Sequence, residues 1–173
     1  MPIDPSHPDN TNPAAPPAAQ GPISVALVED SPGFAALLRN ILDAEPDIRV
    51  IATCGSVAEG CAVLPGLTPD VVLMDVGLPD GPGVKLLEAL VPQLAETDFV
   101  VLTVFDDAAT IEAAIRAGAS GYLLKRSGSA QIVEAVRTVR RGGSPLDAAV
   151  SRRVLQLVRG QSPGPVAIPE LSP

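Results

Sequence analysis

Apolar positions along this chain fall into short runs separated by longer mixed stretches. The runs are Ser24–Val28, Arg49–Thr53, Val71–Met74, Phe99–Leu102 and Gly121–Leu124. They are rich in Val, Leu and Ile and show little polar alternation, which marks strands buried on both faces. The stretches between them open on helix-start signals. Ser31-Pro32 sets an N-cap residue before a proline at the first helical position, and Ser56-Val57-Ala58-Glu59 has the capping-box spacing. Gly81-Pro82 is expected to open the third helix, Asp106-Asp107 the fourth and Ser127-Gly128-Ser129 the fifth. Strands alternating with helices in this way predict an α/β domain with a parallel sheet over residues 23–142.

Past Gly142-Gly143 the pattern changes. Ser144-Pro145-Leu146-Asp147 reads as a further helix start, with Asp147 at the capping-box position. Leu146, Val150, Val154 and Leu157 then form one apolar stripe on a helix ending near Gly160. That gives a linker helix over 143–160. Its stripe must bury against the domain, a second copy or an output domain. Residues 1–22 hold seven prolines and are expected to be a disordered leader; residues 161–173 are Pro-rich again and read as linker.

Composition narrows the class. Hydrophobic residues make up 46% of the chain but aromatics only 2%, so the core must be aliphatic, as in helices packed on a parallel sheet. The formal net charge of −8 leaves no field that would hold DNA, although six of the twelve basic residues lie between Arg137 and Arg159. No signal peptide pattern and no long apolar run is present, so a cytoplasmic protein without membrane contact and with reduced thiols is expected. Cys54 and Cys61 are read as small core residues, and His7 as a solvated side chain.

In an open parallel sheet, chemistry collects beyond the carboxyl ends of the strands. The first strand ends in Glu29-Asp30, the third in Asp75, the fourth in Thr103 and the fifth in Lys125, one of only two lysines. Converging carboxylates repel one another and call for a cation, and an all-oxygen donor set suits Mg²⁺. A lysine and a threonine hydroxyl could both point at a phosphate oxygen, and an aspartate between them could act as nucleophile. Each residue alone has an ordinary explanation: Glu29-Asp30 as a helix cap, Asp75 as a turn residue, Thr103 and Tyr122 as strand residues, Lys125 as a solvated charge. Independent accidents would not bring all of them to one crevice.

Val25-Ala26-Leu27-Val28-Glu29-Asp30-Ser31, Val71-Val72-Leu73-Met74-Asp75-Val76-Gly77-Leu78-Pro79, Leu102-Thr103 and Gly121-Tyr122-Leu123-Leu124-Lys125 together resemble the receiver domains of two-component response regulators. Leu102–Asp107 and Gly142–Leu146 further resemble the NarL/FixJ subgroup, whose output is a LuxR-type helix-turn-helix. The resemblance covers residues 23 to about 142. It implies a flavodoxin-like (CheY-like) five-stranded parallel sheet of order 2-1-3-4-5, with helices on both faces. It implies that Asp75 takes a phosphoryl group from a sensor histidine kinase. Asp30, Asp75 and the backbone carbonyl of Gly77 would bind Mg²⁺, with Glu29 acting through water. Lys125 and Thr103 would hold the phosphoryl oxygens, and Tyr122 would turn inward with Thr103 as the switch. It also implies possible homodimerisation on phosphorylation, and DNA contact only through an output domain that the Leu171-Ser172-Pro173 end would introduce. Beyond self-phosphorylation and autodephosphorylation on Asp75, no enzyme activity is expected.

The sequence departs from the family pattern after the fifth strand, where Arg126 replaces the frequent proline, and at Glu29, where Asp is more frequent. Three rival readings stand beside this one. A stand-alone receiver would act by protein contact without a DNA-binding output. A haloacid-dehalogenase-type phosphohydrolase needs a second acid two residues past the nucleophile, where Gly77 stands. A receiver fold used only for binding would not need Glu29, Asp30, Asp75, Thr103 and Lys125 intact.

Overall fold

The structure is a computed structural model and describes residues 21–160. The Pro-rich leader up to residue 20, His7 and the stretch from residue 161 onward lie outside the described residues.

Five strands, β1 (Ile23–Val28), β2 (Ile48–Cys54), β3 (Val71–Met74), β6 (Asp98–Thr103) and β7 (Gly121–Leu124), form one parallel sheet of order β2-β1-β3-β6-β7. This is the expected 2-1-3-4-5 order. Successive residues of each central strand face opposite layers, and both layers are apolar. Ala26, Val28, Val72, Met74 and Val101 face one side with Leu64, Leu86, Leu87, Leu90 and Ile111. Val25, Leu27, Val71, Leu73 and Val100 face the other with Leu38, Leu42, Ile132 and Val136. The strands read as unbroken apolar runs because each is covered twice.

Helices α1 (Pro32–Asp43) and α5 (Ser129–Arg140) cover the second of these faces, while α2 (Val57–Leu67), α3 (Val84–Leu90) and α4 (Ala108–Arg116) cover the first. The cap residues expected for α1, α2 and α4 are in place. The side chain of Ser31 accepts from Phe34 N, that of Ser56 from Glu59 N, and that of Asp107 from Thr110 N. The reciprocal arm of the capping box reaches one residue further back than expected, with Glu59 Oε2 accepting from Gly55 N at 2.7 Å.

Two helix starts are corrected. Gly81-Pro82 does not open the third helix. It forms strand β5 (Gly81–Pro82), paired antiparallel with β4 (Gly77–Leu78), and α3 begins two residues later behind Gly83. The hairpin is anchored by Asp80, whose carboxylate accepts from Val57 N and Ala58 N at 2.9 Å each and so caps α2 from outside. The last helix, α6 (Ala148–Gly160), starts later than the Ser144-Pro145 signal. Asp147 caps it, accepting from Ala149 N at 2.9 Å. The residues before it extend the sheet instead: Tyr122 N donates to Pro145 O, Asp147 N donates to Tyr122 O, and Leu146 bridges Tyr122 in parallel. A β geometry at 145–147 leaves Ser144 outside the helix.

The apolar stripe of α6 packs on the domain itself. Val150 is fully enclosed, and Val154 and Leu157, with Leu146 just before the helix, are partly buried against the same cluster as α4.

Candidate functional site: an acid, lysine and threonine crevice

Strand order brings the site together. β1 and β3 are neighbours with Val28 opposite Met74, so Glu29-Asp30 and Asp75 leave the sheet side by side. On the other side of β3, Thr103 ends β6 opposite Leu124, and the backbone of Lys125 donates to Thr103 O at 2.8 Å. Glu29, Asp30, Asp75, Thr103 and Lys125 therefore stand at one carboxyl edge, while Tyr122 sits two residues before the end of β7.

Asp75 is buried, at 6% exposure, and both of its oxygens are engaged. Oδ1 accepts from Thr103 Oγ1 at 2.7 Å and from Gly77 N at 2.9 Å. Oδ2 pairs with Lys125 Nζ at 2.7 Å. The same ammonium pairs with Glu29 Oε2 at 2.7 Å, while Glu29 Oε1 accepts from Ser31 N at 3.0 Å. Lys125 thus bridges the two buried acids. Burial works against its charge, but the hydrogen bonds and charges of Asp75 and Glu29 outweigh that and hold the ammonium above the ordinary lysine value. Part of the repulsion that called for a cation in the sequence is relieved by this lysine.

Oxygen atoms of Glu29, Asp30 and Asp75 lie within 4.8 Å of one another, two of the residues buried and Asp30 exposed. The donor set is oxygen only, which fits a hard divalent cation. Glu29 is turned to Lys125 and to the Ser31 amide, leaving Asp30 as the solvent-facing acid of the three.

The threonine and tyrosine expected to act together are both fully buried. Thr103 already reaches Asp75, and Tyr122 already points inward, its hydroxyl donating to Phe105 O at 2.7 Å. Burial, with the charges of Asp107, Asp75 and Asp106 behind it, pushes the Tyr122 phenol well above its usual range. Phe105 spans the gap between this pair and Gly77. Its ring stands where a Cβ on Gly77 would come within 2.7 Å, so this position accepts glycine without moving the ring.

Cys54 is buried at the end of β2, where burial and the charge of Glu59 push its thiol up to about 11, and Cys61 is half-buried in α2. At neutral pH Cys54 is held as the thiol, so it behaves as a core residue.

Two residues escaped the sequence reading. Phe34, one turn into α1, lies under the Lys125 ammonium with its ring centroid 4.6 Å from Nζ. Gly83 presses on the site from behind: a Cβ there would come within 2.5 Å of Asp75 O and 2.7 Å of Val76 Cα. The one cue to Phe34 in the sequence is its place four residues after Asp30, on a helix that begins at the site, and its contact with Lys125 comes from packing across the fold.

Sheet and crevice are those of a doubly wound α/β domain with its polar site at the switch between β1 and β3. The chain belongs to the response regulator receiver domain family, whose model matches residues 25–137. It is similar to the transcriptional activator DevR/DosR of Mycobacterium tuberculosis, 35% identical over 80% of this chain and 64% of that protein. It is also similar to the transcriptional regulatory protein UhpA of Salmonella typhimurium, 39% identical over 70% of this chain and 60% of that protein. Among solved structures, the receiver domain of the response regulator NarL from Mycobacterium tuberculosis superposes with a TM-score of 0.67 at 26% identity, covering 71% of this chain and 99% of that one. The chain spans less than two thirds of the length of the two curated relatives. Among the described residues, no helix is long and apolar enough to cross a membrane.

Proposed function

We propose that the chain is a phosphoacceptor switch in which Asp75 accepts a phosphoryl group from a sensor histidine kinase and passes its state to a transcriptional output. The observation that carries this is the engagement of Asp75 by Lys125 on one oxygen and Thr103 on the other, with Glu29 and Asp30 beside it. Together these groups meet what phosphoryl transfer asks of a protein: a placed nucleophile and fixed charges for the transferred oxygens.

One Asp75 oxygen attacks phosphorus and forms an acyl phosphate, while the bond to the donor breaks and the donor keeps the electron pair. With a kinase phosphohistidine the leaving group is imidazole; with acetyl phosphate it is acetate. Lys125 transfers its hydrogen bond from Asp75 to a phosphoryl oxygen, and Thr103 donates to another. Asp30, Asp75 and the Gly77 carbonyl would hold Mg²⁺, with Glu29 acting through water. The ion supplies charge neutralisation for the acids and the incoming oxygens. The extra charge on Asp75 then biases the Thr103, Phe105 and Tyr122 group, through which the domain's outer face is read. The names of the relatives support a transcriptional output; contact with DNA through a separate domain and dimerisation on phosphorylation belong to the same proposal.

The test is intact-protein mass spectrometry with acetyl phosphate. Wild type should gain one phosphoryl group in Mg²⁺ and none in EDTA, and the adduct should be lost in mild alkali. Asp75→Asn should gain none; labelling of that variant to the wild-type level would sink the assignment.

A further inference from the structure

We propose that Phe34 is a positioning residue for Lys125, its ring face holding the ammonium against Asp75 by a cation–π contact. This deepens the phosphoacceptor reading and rests on it.

The geometry is that of such a contact, with Nζ 4.6 Å from the ring centroid, inside the roughly 6 Å at which the ring quadrupole attracts a cation. The lysine side chain is 18% exposed, so the attraction acts with little competing water. Two of its N–H donors go to Glu29 and Asp75, and the ring is its third neighbour. Both Glu29 and Phe34 come from one short segment. Ser31 N donates to Glu29, and the Ser31 hydroxyl accepts from Phe34 N, so the acid and the ring are fixed relative to each other. Lys125 is therefore clamped from the α1 side by that segment and from the β3 side by Asp75.

The ring does something hydrogen bonds do not. For phosphoryl transfer Lys125 must move its bond from Asp75 Oδ2 to an oxygen of the incoming group. A lysine stem is flexible and its head strongly hydrated, so a released ammonium tends to swing out to water. Contact with a ring face needs no particular N–H and persists while the hydrogen bond is exchanged. Aromatic residues are also scarce here, three Phe and one Tyr in the whole chain, yet Phe34, Phe105 and Tyr122 stand at this edge of the sheet. The competing role for Phe34 is apolar anchoring of α1, since it packs against the cluster of Leu38 and Leu42. Leucine would serve that role equally well, so ring electronics separate the two.

The experiment replaces Phe34 in the full chain with 4-fluoro-, 3,5-difluoro- and 3,4,5-trifluorophenylalanine, which keep the ring's shape and weaken its quadrupole stepwise. Two quantities are read. The Lys125 Cε–Hε resonances of the unphosphorylated protein report the ring current, and the Asp75 labelling rate at saturating acetyl phosphate in Mg²⁺ reports the chemistry. Expected are an upfield Lys125 shift in wild type that Phe34→Leu abolishes, and a labelling rate that falls at each fluorination step, roughly tenfold across the series. The acetyl phosphate concentration for half-maximal rate should stay constant, and Phe34→Trp should retain the wild-type rate. Equal labelling rates across the fluorinated series, or no ring-current shift at Lys125, would overturn the role. If wild type and Asp75→Asn both fail to label while the ring-current shift is present, the phosphoacceptor reading itself falls and the positioning role with it. That result is distinct from a flat fluorination series in a protein that does label.

Discussion

Lys125 holds the acids of this site together. Its ammonium faces Glu29 and Asp75 at 2.7 Å each, both carboxylates being nearly buried. Removing one partner of a buried ion pair leaves charges that have lost their solvation, so Lys125→Met in metal-free buffer should cost about 3 kcal/mol at neutral pH. The pH dependence follows from the direction of the lysine's shift. Its folded value lies above the unfolded one, so its stabilisation is complete below the ordinary lysine value of about 10.4 and is lost as pH climbs through the raised value. Urea unfolding of wild type and Lys125→Met at increasing pH should therefore give curves that converge above that value. A gap that stays constant into strong alkali would mean that the ammonium's charge contributes nothing.

At the scale of elements, the end of α2 is where local geometry is least comfortable. Thr68 closes this helix at φ 43°, ψ 58°, a left-handed conformation that a β-branched residue adopts at a cost of about 1–2 kcal/mol. Thr68→Asn should recover about 1 kcal/mol and raise the melting temperature, as calorimetry can check. A residue's neighbours in sequence settle this kind of feature poorly, and the same division runs through the whole fold. Strands and their terminal acids were readable because each is an unbroken apolar run that stops at a polar residue. The caps of α1, α2 and α4 were readable because a cap bonds to residues within the next turn. The hairpin of β4 and β5 was not, because Asp80 bonds to backbone more than twenty residues away and turns Gly81-Pro82 from a helix start into a strand. The start of α6 lies beyond Ser144-Pro145 for a related reason. Tyr122 takes Pro145 and Asp147 as backbone partners, and no local signal in Ser144-Pro145 announces a bond to β7. Among the site residues, Glu29, Asp30, Asp75, Thr103 and Lys125 converge as strand order requires, while Phe34 and Gly83 enter only through packing.

For the molecule as a whole, α6 is the element that turns a three-layer domain into one with an added outer helix. Its anchor is Val150, fully enclosed between α6 and the cluster containing Ile111 and Ala114 of α4. Val150→Ala should cost about 2 kcal/mol through lost burial and the cavity left behind. Hydrogen exchange should then speed in α6 and α4 while β1 and β3 keep their protection; unchanged exchange in α6 would show that the helix is held by something other than this contact. The segment that leads into α6 has a further effect. A parallel sheet presents bare amide and carbonyl groups along its outermost strands, and those groups template the addition of another strand. At β7 the outward N–H and C=O of Tyr122 are both taken by Pro145 and Asp147, and the carbonyl of Leu124 is taken by Ser127 N. The chain thus occupies part of its own sheet margin on that side, and at the opposite outermost strand, β2, the Asp43 carboxylate takes the N–H of Val50 at 2.8 Å, so both margins offer an incoming strand an interrupted row of partners.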